Sequence, residues 1–236
     1  MNIKTIYLSK FQDSITFNQK RTPEHNTLNK KITFKILKFK EVTFFQNILR
    51  KCNIFKNLIG KDTVLINYEV PSGNFKQRID LLFLNSKGIL IPCELKLNRK
   101  SYDIHGQLIR YFSDLHFQKL DKSWLIDKHN SYISKLKKND PDTKIKKATI
   151  SNAAITSEQM QFDDFIKKHK IKKIRISSTG IIINEEISDK VILAVQFLNK
   201  YHKFDIKLFQ ANIFVHKSWN KDIPNYPFKI FFKNII

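Results

Sequence analysis

The order of elements predicts an α/β domain built on a central mixed sheet. Three observations carry that expectation. A helical repeat, three strand signals and a second helical repeat follow one another between residues 41 and 118. A further alternation of helix and strand runs on to about residue 177. Only 5 Gly and 6 Pro interrupt the 236 residues, so regular elements are long and breakers few. Hydrophobic residues at 42% and aromatics at 12% suffice to fill a core, which argues against a wholly disordered chain.

Residues 1–30 read as polar and irregular, with a short strand signal at Ile3–Leu8. Residues 33–40 alternate apolar side chains with Lys, as in a half-buried strand or the lead-in to a helix. Val42, Phe45, Ile48, Leu49, Cys52 and Phe55 recur at three and four, the repeat of an amphipathic helix from Glu41 to Phe55, and Gly60 ends the turn behind it. Thr63–Val70 is rich in β-formers and stops at the turn residues 71–73; Gln77–Leu84 stops at Asn-Ser-Lys-Gly 85–88; Ile89–Leu97 stops at Asn98. Ile104, Leu108, Tyr111, Phe112 and Leu115 then mark a helix over 103–118, with Asp103 placed to cap it.

Beyond that helix the pattern predicts a short strand at Ser123–Asp127 and a Lys/Asp-rich loop or exposed helix at Ser131–Lys147. It continues with a buried strand at Ala148–Thr156 and a helix at Ser157–Lys170 opened by a capping-box-like Thr-Ser-Glu-Gln run. Lys172–Ser177 reads as a strand with alternating Ile and Ile187–Tyr201 as an amphipathic helix. The tail from about residue 204 alternates weakly, as an added sheet edge or docking segment would. The division expected is an N-terminal extension at 1–32, a core at 33–177 with element order αβββαβ, and a C-terminal helix and strand addition at 178–236 packed on that core.

Lys and Arg total 43 against 21 acidic residues, a formal charge of +22. Such an excess attracts polyanions, nucleic acid first among them. Abundant Lys, Asn and Ile beside little Ala, Gly and Arg also fit a compositional bias, so charge alone does not name the partner. Cys52 and Cys93 make neither a disulfide framework nor a zinc site, and Cys93 sits in an apolar run where a small buried thiol belongs. No stretch has the length of a signal peptide or membrane span, and the expectation is a soluble cytoplasmic protein without a membrane partner.

The chemistry lies in Arg78-Ile79-Asp80-Leu81-Leu82-Phe83 and Pro92-Cys93-Glu94-Leu95-Lys96, with thirteen residues between the two carboxylates. Side chains alternate along a strand, so Glu94 and Lys96 share one face while Cys93, Leu95 and Leu97 take the other. A hairpin centred on 85–88 would bring Asp80 beside Glu94. Two carboxylates and an ammonium within apolar strands are costly unless paired or bound to a cation, and paired carboxylates repel unless a proton or metal separates them. Oxygen ligands suit Mg²⁺, or Mn²⁺, which could activate water and neutralise a phosphodiester, with Lys96 orienting that water or stabilising charge on phosphate. The alternative is a buried Asp–Glu–Lys salt-bridge triad.

RIDLLF…PCELK followed by GQLIRY resembles the PD-(D/E)xK nuclease superfamily, and within it the branch with a Gln-x-x-x-Tyr helix motif carried by archaeal mismatch endonucleases and RecB-like nuclease domains. The resemblance covers about residues 41–127, and 148–177 by element order only. It implies a restriction-endonuclease-like core in which Asp80 and Glu94 bind the metal, Lys96 assists the attacking water, and Gln107 and Tyr111 line the site. Ile79-Asp80 stands where the family's Pro-Asp pair is usual. Many members also place a Glu on the helix before the first strand; Glu41 is the candidate here, though charge at a helix start explains it equally well. Gln107 and Tyr111 lie one turn apart and share a helix face, and core packing is the other reading of Tyr111. Arg78 and Arg110 are candidates for phosphate contact, or for pairing with Asp114 or a strand carboxylate; Glu69, on the first strand, reads as a solvent-side residue or as one that supports the metal ligands from behind. His105 and His116 have no partner at ligand spacing.

Three readings follow. The first is a Mg²⁺-dependent endonuclease hydrolysing phosphodiester bonds in DNA, duplex, structured or single-stranded, in repair, recombination or restriction. The second is a catalytically inactive nucleic-acid-binding subunit on the same scaffold. The third is a restriction enzyme with its recognition elements in residues 178–236. One site cuts one strand, so cleavage of both strands would favour a homodimer.

Overall fold

The computed structural model describes residues 3–11, 14–18, 28–32, 58–60, 62–72, 77–96, 103–137, 152–218 and 225–236. Within them, strands β1 (Ile3–Phe11), β2 (Ser14–Asn18), β3 (Leu28–Ile32), β4 (Thr63–Pro71), β5 (Arg78–Asn85) and β6 (Ile89–Lys96) precede helices α1 (Ile104–His116), α2 (Lys122–Lys137) and α3 (Asn152–Lys168). Strands β7 (Arg175–Ile176) and β8 (Thr179–Asn184), helix α4 (Asp189–Tyr201), and strands β9 (Asp205–His216) and β10 (Asn225–Asn234) complete the order. All the strands join one mixed sheet in the order β2-β1-β10-β9-β8-β6-β5-β4, with β3 added beside β9 and β7 beside β6. The chain is therefore α/β, a mixed sheet flanked by four helices among the described residues.

Strands β6, β8 and β9 run parallel to one another, and the remaining pairs among β1, β2, β4, β5, β9 and β10 are antiparallel. A parallel strand covered on both faces needs apolar side chains at nearly every position. Ile89–Lys96 meets that condition: Leu90, Ile91, Cys93 and Leu95 are all buried. One face gathers Leu81, Phe83, Cys93, Leu95, Ile181, Ile183 and Ala211; the other gathers Leu82, Leu84, Leu90, Ile182 and Leu208 beneath Leu108, Tyr111 and Leu115 of α1.

Two glycines have a visible reason. Gly88 holds φ +75° in the β5–β6 turn, and a Cβ there would run into the carbonyl of Lys173. A Cβ at Gly180 would lie 2.8 Å from Leu108 and from Phe112, so the missing side chain lets α1 settle close on β8.

Several expected elements take another form. Ser123–Asp127 is the first part of α2, not a strand. Asp121 Oδ1 accepts the Trp124 N–H at 2.9 Å, a helix cap that outweighs the local β-propensity. Residues 152–156 of the expected strand Ala148–Thr156 belong to α3, and 148–151 lie outside the described residues. The Thr156–Gln159 run is thus interior to a helix and not at its start. Asp103 stands at the α1 N-cap without a side-chain cap bond. Only Arg175–Ile176 of Lys172–Ser177 pairs as strand, while Thr179–Asn184, a central strand, was not expected.

The tail is not a sheet edge: β9 lies between β8 and β10. The described parts of residues 1–30 form strands: β1, which takes in the expected Ile3–Leu8, and β2 extend the sheet from β10, and β3 pairs with β9. The sheet is thereby continuous across the boundaries drawn at 32/33 and 177/178. The expected strand or lead-in at 33–40 and the helix Glu41–Phe55 lie outside the described residues. No helix among the described residues is long and apolar enough to cross a membrane.

At the β4 edge, a bulge between Leu65 and Asn67 is answered by α2. His129 Nδ1 lies 3.2 Å from the Ile66 carbonyl, and Asn67 Nδ2 donates to the Lys128 carbonyl at 2.7 Å. The His129 ring stacks on Phe162 of α3 at 3.9 Å. Its Nε2 is buried without a partner among the described residues, which suits the neutral ring. Burial pulls its pKa down to about 4, against the smaller opposing pull of the Ile66 carbonyl and Asp163. The folded ring therefore holds fewer protons than the unfolded one between about pH 6.5 and 4, and stability is lost as pH falls through that window. The expected loss attributable to His129 is about 3 kcal/mol. His129→Gln should flatten the decline of melting temperature between pH 7 and 4; an unchanged slope would refute the assignment.

Candidate functional site

The site begins with a turn. Asn85 Oδ1 accepts the N–H groups of Lys87 and Ile89 at 2.9 and 3.0 Å, and the Gly88 N–H reaches the Asn85 carbonyl at 3.0 Å. This closure sets the register of β5 on β6: Leu84↔Leu90, Phe83↔Ile91, Leu82↔Pro92 and Leu81↔Cys93. Continued by one residue, the register sets Asp80 opposite Glu94. On the other side of β5, Tyr68↔Leu81 and Val70↔Ile79 set Glu69 opposite Asp80. Three carboxyl-bearing residues therefore stand in a row across three adjacent strands.

Asp80 Oδ2 accepts the Leu95 N–H at 2.7 Å, so the side chain takes up a backbone donor of β6 where the ladder ends. The carboxyl groups of Asp80 and Glu94 adjoin and act on each other electrostatically. Lys96 Nζ lies 2.6 Å from Glu94 Oε1. From α1, the Tyr111 hydroxyl lies 2.7 Å from Glu94 Oε2 and 2.6 Å from the Arg78 carbonyl, and Gln107 Nε2 donates to the Tyr111 hydroxyl oxygen at 3.0 Å. A phenol has one proton and the Arg78 carbonyl can only accept. When the phenol donates there, the contact to Glu94 is made by a proton that the carboxyl carries.

Both carboxyls are pushed toward the protonated form. Burial is the main cause at Asp80, joined by the charge of Glu94 and opposed by the Leu95 N–H and Lys96. Burial also dominates at Glu94, where Lys96, Tyr111 and Asp80 oppose it. Burial and then Glu94 raise the Tyr111 phenol, which stays neutral. Cys93, fully buried on the opposite face, is likewise raised by burial and is an inert thiol.

Of the expected site residues, Asp80, Glu94, Lys96, Gln107 and Tyr111 come together in one cluster. Arg78 and Arg110 stand outside it. Arg78 is 64% exposed and lies 3.8 Å from Glu69, and Arg110 pairs with Asp103 at 3.3 Å, not with Asp114. Glu41 lies outside the described residues.

Two residues at the site, Asn184 and Glu185, were missed, and Glu69 stands beside it. Glu69 is 20% exposed, adopts φ +49° within a strand, and its charge adds to the rise at Asp80, so it is not a plain solvent-side residue. Asn184 and Glu185 follow an apolar run as Glu94 does, a signal present in Ile181-Ile182-Ile183-Asn184-Glu185. Asn184 pairs with Lys96 across the parallel ladder, and the Glu185 N–H donates to the Lys96 carbonyl at 3.1 Å.

Asp80 and Glu94 are the residues that could hold a divalent cation. Two adjoining carboxyls sharing a proton are a donor set that a cation would satisfy in the proton's place. Mg²⁺ needs only one or two carboxylates when waters and phosphate oxygens complete its shell. This matters because no cluster of three or more His, Cys, Asp or Glu suited to a metal occurs among the described residues. The donors are oxygens throughout, which favours Mg²⁺ or Mn²⁺ over zinc.

No protein-family model matches the chain, and no curated protein or solved structure matches it significantly.

At neutral pH without divalent ions, folding forces these carboxyls to share a proton or repel. Asp80→Asn keeps an oxygen for the Leu95 N–H and removes that conflict. It should raise the metal-free melting temperature by about 2–4 °C, the shift expected from about 1 kcal/mol in a chain of this size. Calorimetry in a chelating buffer checks it, and a lowered value would contradict the picture of a strained pair.

Proposed function

We propose that this chain is a divalent-metal-dependent nuclease that hydrolyses phosphodiester bonds in DNA, on a restriction-endonuclease-like core of the PD-(D/E)xK type. One observation carries the reading: Asp80 and Glu94, from neighbouring strands, join their carboxyls beside the Lys96 ammonium, and the cluster is closed by Gln107 and Tyr111. Burial holds both carboxyls toward the protonated form although the Lys96 ammonium lies beside them. Carboxyl oxygens gathered in a buried place and ready to exchange a proton for a cation are a metal's donor set, whereas a buried salt bridge contributes little stability by itself.

Bound between Asp80 and Glu94, Mg²⁺ would supply charge neutralisation and a more acidic water. The chain's own residues divide the rest. Asp80 is held by the Leu95 N–H and Glu94 by the Tyr111 hydroxyl, so each keeps its orientation. Lys96 is 24% exposed, the part of the cluster within reach of substrate, and can hydrogen-bond the attacking water or a phosphate oxygen. The charge of +22 supplies attraction for the polyanion, and binding should weaken steeply with salt.

Purified protein should cleave DNA with Mg²⁺ and not with a chelator. Asp80→Ala and Lys96→Ala should each lower the rate by roughly 10²–10⁴-fold, while retention of labelled duplex in a binding assay stays near wild type. Mg²⁺ should raise the melting temperature of wild type and not of Asp80→Ala. An inert wild type that binds DNA without responding to Mg²⁺ would replace this reading with that of an inactive binding subunit.

A further inference from the structure

We propose that Asn184 is a further residue of this site, donating a hydrogen bond from its side-chain amide to a non-bridging oxygen of the phosphodiester; the inference rests on the nuclease reading above.

Asn184 ends β8 and pairs with Lys96 in the parallel ladder, so its side chain shares the sheet face of Glu94 and Lys96. It is fully buried. Its two ends differ. Oδ1 accepts the Glu186 N–H at 3.2 Å, whereas Nδ2 has no acceptor among the described residues. The segment is also fixed against rotation away. The Glu185 N–H is bound to the Lys96 carbonyl at 3.1 Å, and Gln210 Nε2 reaches the Glu185 carbonyl at 3.2 Å.

A buried donor without an acceptor is disfavoured, and such groups in folded proteins call for an explanation. Its position provides one. The carboxyl ends of neighbouring parallel strands are where open α/β sheets receive ligands, and β6 and β8 both end here. The amide nitrogen cannot ligate a cation, but it can donate to an anion. Beside Lys96, the anion that the reaction brings is the phosphodiester.

The test compares single-turnover cleavage by wild type and Asn184→Ala in saturating DNA and Mg²⁺. Substrates carry the ordinary linkage, or an Rp or Sp phosphorothioate at one cleavage site; melting temperature is followed in parallel. Asn184→Ala should slow cleavage of the ordinary linkage about tenfold or more. It should also shrink the penalty for sulfur in one diastereomer and leave the other unchanged, a pattern that general loss of structure does not produce. Should Asn184→Ala fail to fold, Asn184→Asp keeps an acceptor for the Glu186 N–H while removing the donor, and takes its place in the same comparison. An unchanged rate, or a slower rate with both sulfur penalties intact, would overturn the role of Asn184 alone. A wild type that does not cleave would overturn the nuclease reading and this inference with it.

Discussion

The contact between the carboxyl groups of Asp80 and Glu94 is the constraint around which the rest of the site is arranged. Two carboxyls brought together under cover of a helix repel each other when ionised and lose their hydration, and the fold tolerates this by favouring their protonated form and surrounding them with polar partners. Leu95 gives its backbone N–H to Asp80, Tyr111 places its hydroxyl against Glu94, and Lys96 brings a charge to 2.6 Å. Each donor comes from a different kind of source: a strand backbone, a helix side chain and a strand side chain. Losing any one leaves the pair less well compensated.

The precision of this arrangement comes from elements that make no chemical contact with the carboxyls. The Asn85–Gly88 turn sets the β5–β6 register, and a slip of one residue would send Asp80 to the opposite face. Gly180 lets α1 approach β8 closely, which puts Tyr111 within hydrogen-bonding distance of Glu94 and of the Arg78 carbonyl. The cluster is thus supported from below by register and from above by helix packing. Its exposed end is at Lys96, where β6 and β8 end together.

Much of the site was legible because its elements are local. The β5–β6 hairpin is a short loop between two apolar runs, so spacing alone implied that Asp80 and Glu94 meet. Helix α1 shows a strong apolar repeat, and that repeat put Gln107 and Tyr111 on one face. The sequence could not decide between the two readings of Glu69 because its relation to Asp80 depends on the β4 register and a bulge at Leu65–Asn67, neither visible in composition. Strand β8 was missed because three isoleucines between Ser-Ser-Thr-Gly and Asn-Glu-Glu are too short a run to show a period. With β8 unseen, Asn184 could not be placed. Ser123–Asp127 and residues 152–156 became helix because capping by Asp121 and continuity with a longer helix overrode local β-preference.

By itself the sequence determined the α/β class, the hairpin that joins the two carboxyls, and the helix face that covers them. These follow from periodicity and short loops, which act within about twenty residues along the chain. Only the tertiary structure decided that β8 and β9 lie beside β6, that the first and last strands belong to the same sheet, and that Glu69 and Asn184 flank the cluster. Those pairings join segments far apart in the chain through backbone hydrogen bonds and burial on both faces, and such bonds leave no mark of their partner in the residues that make them.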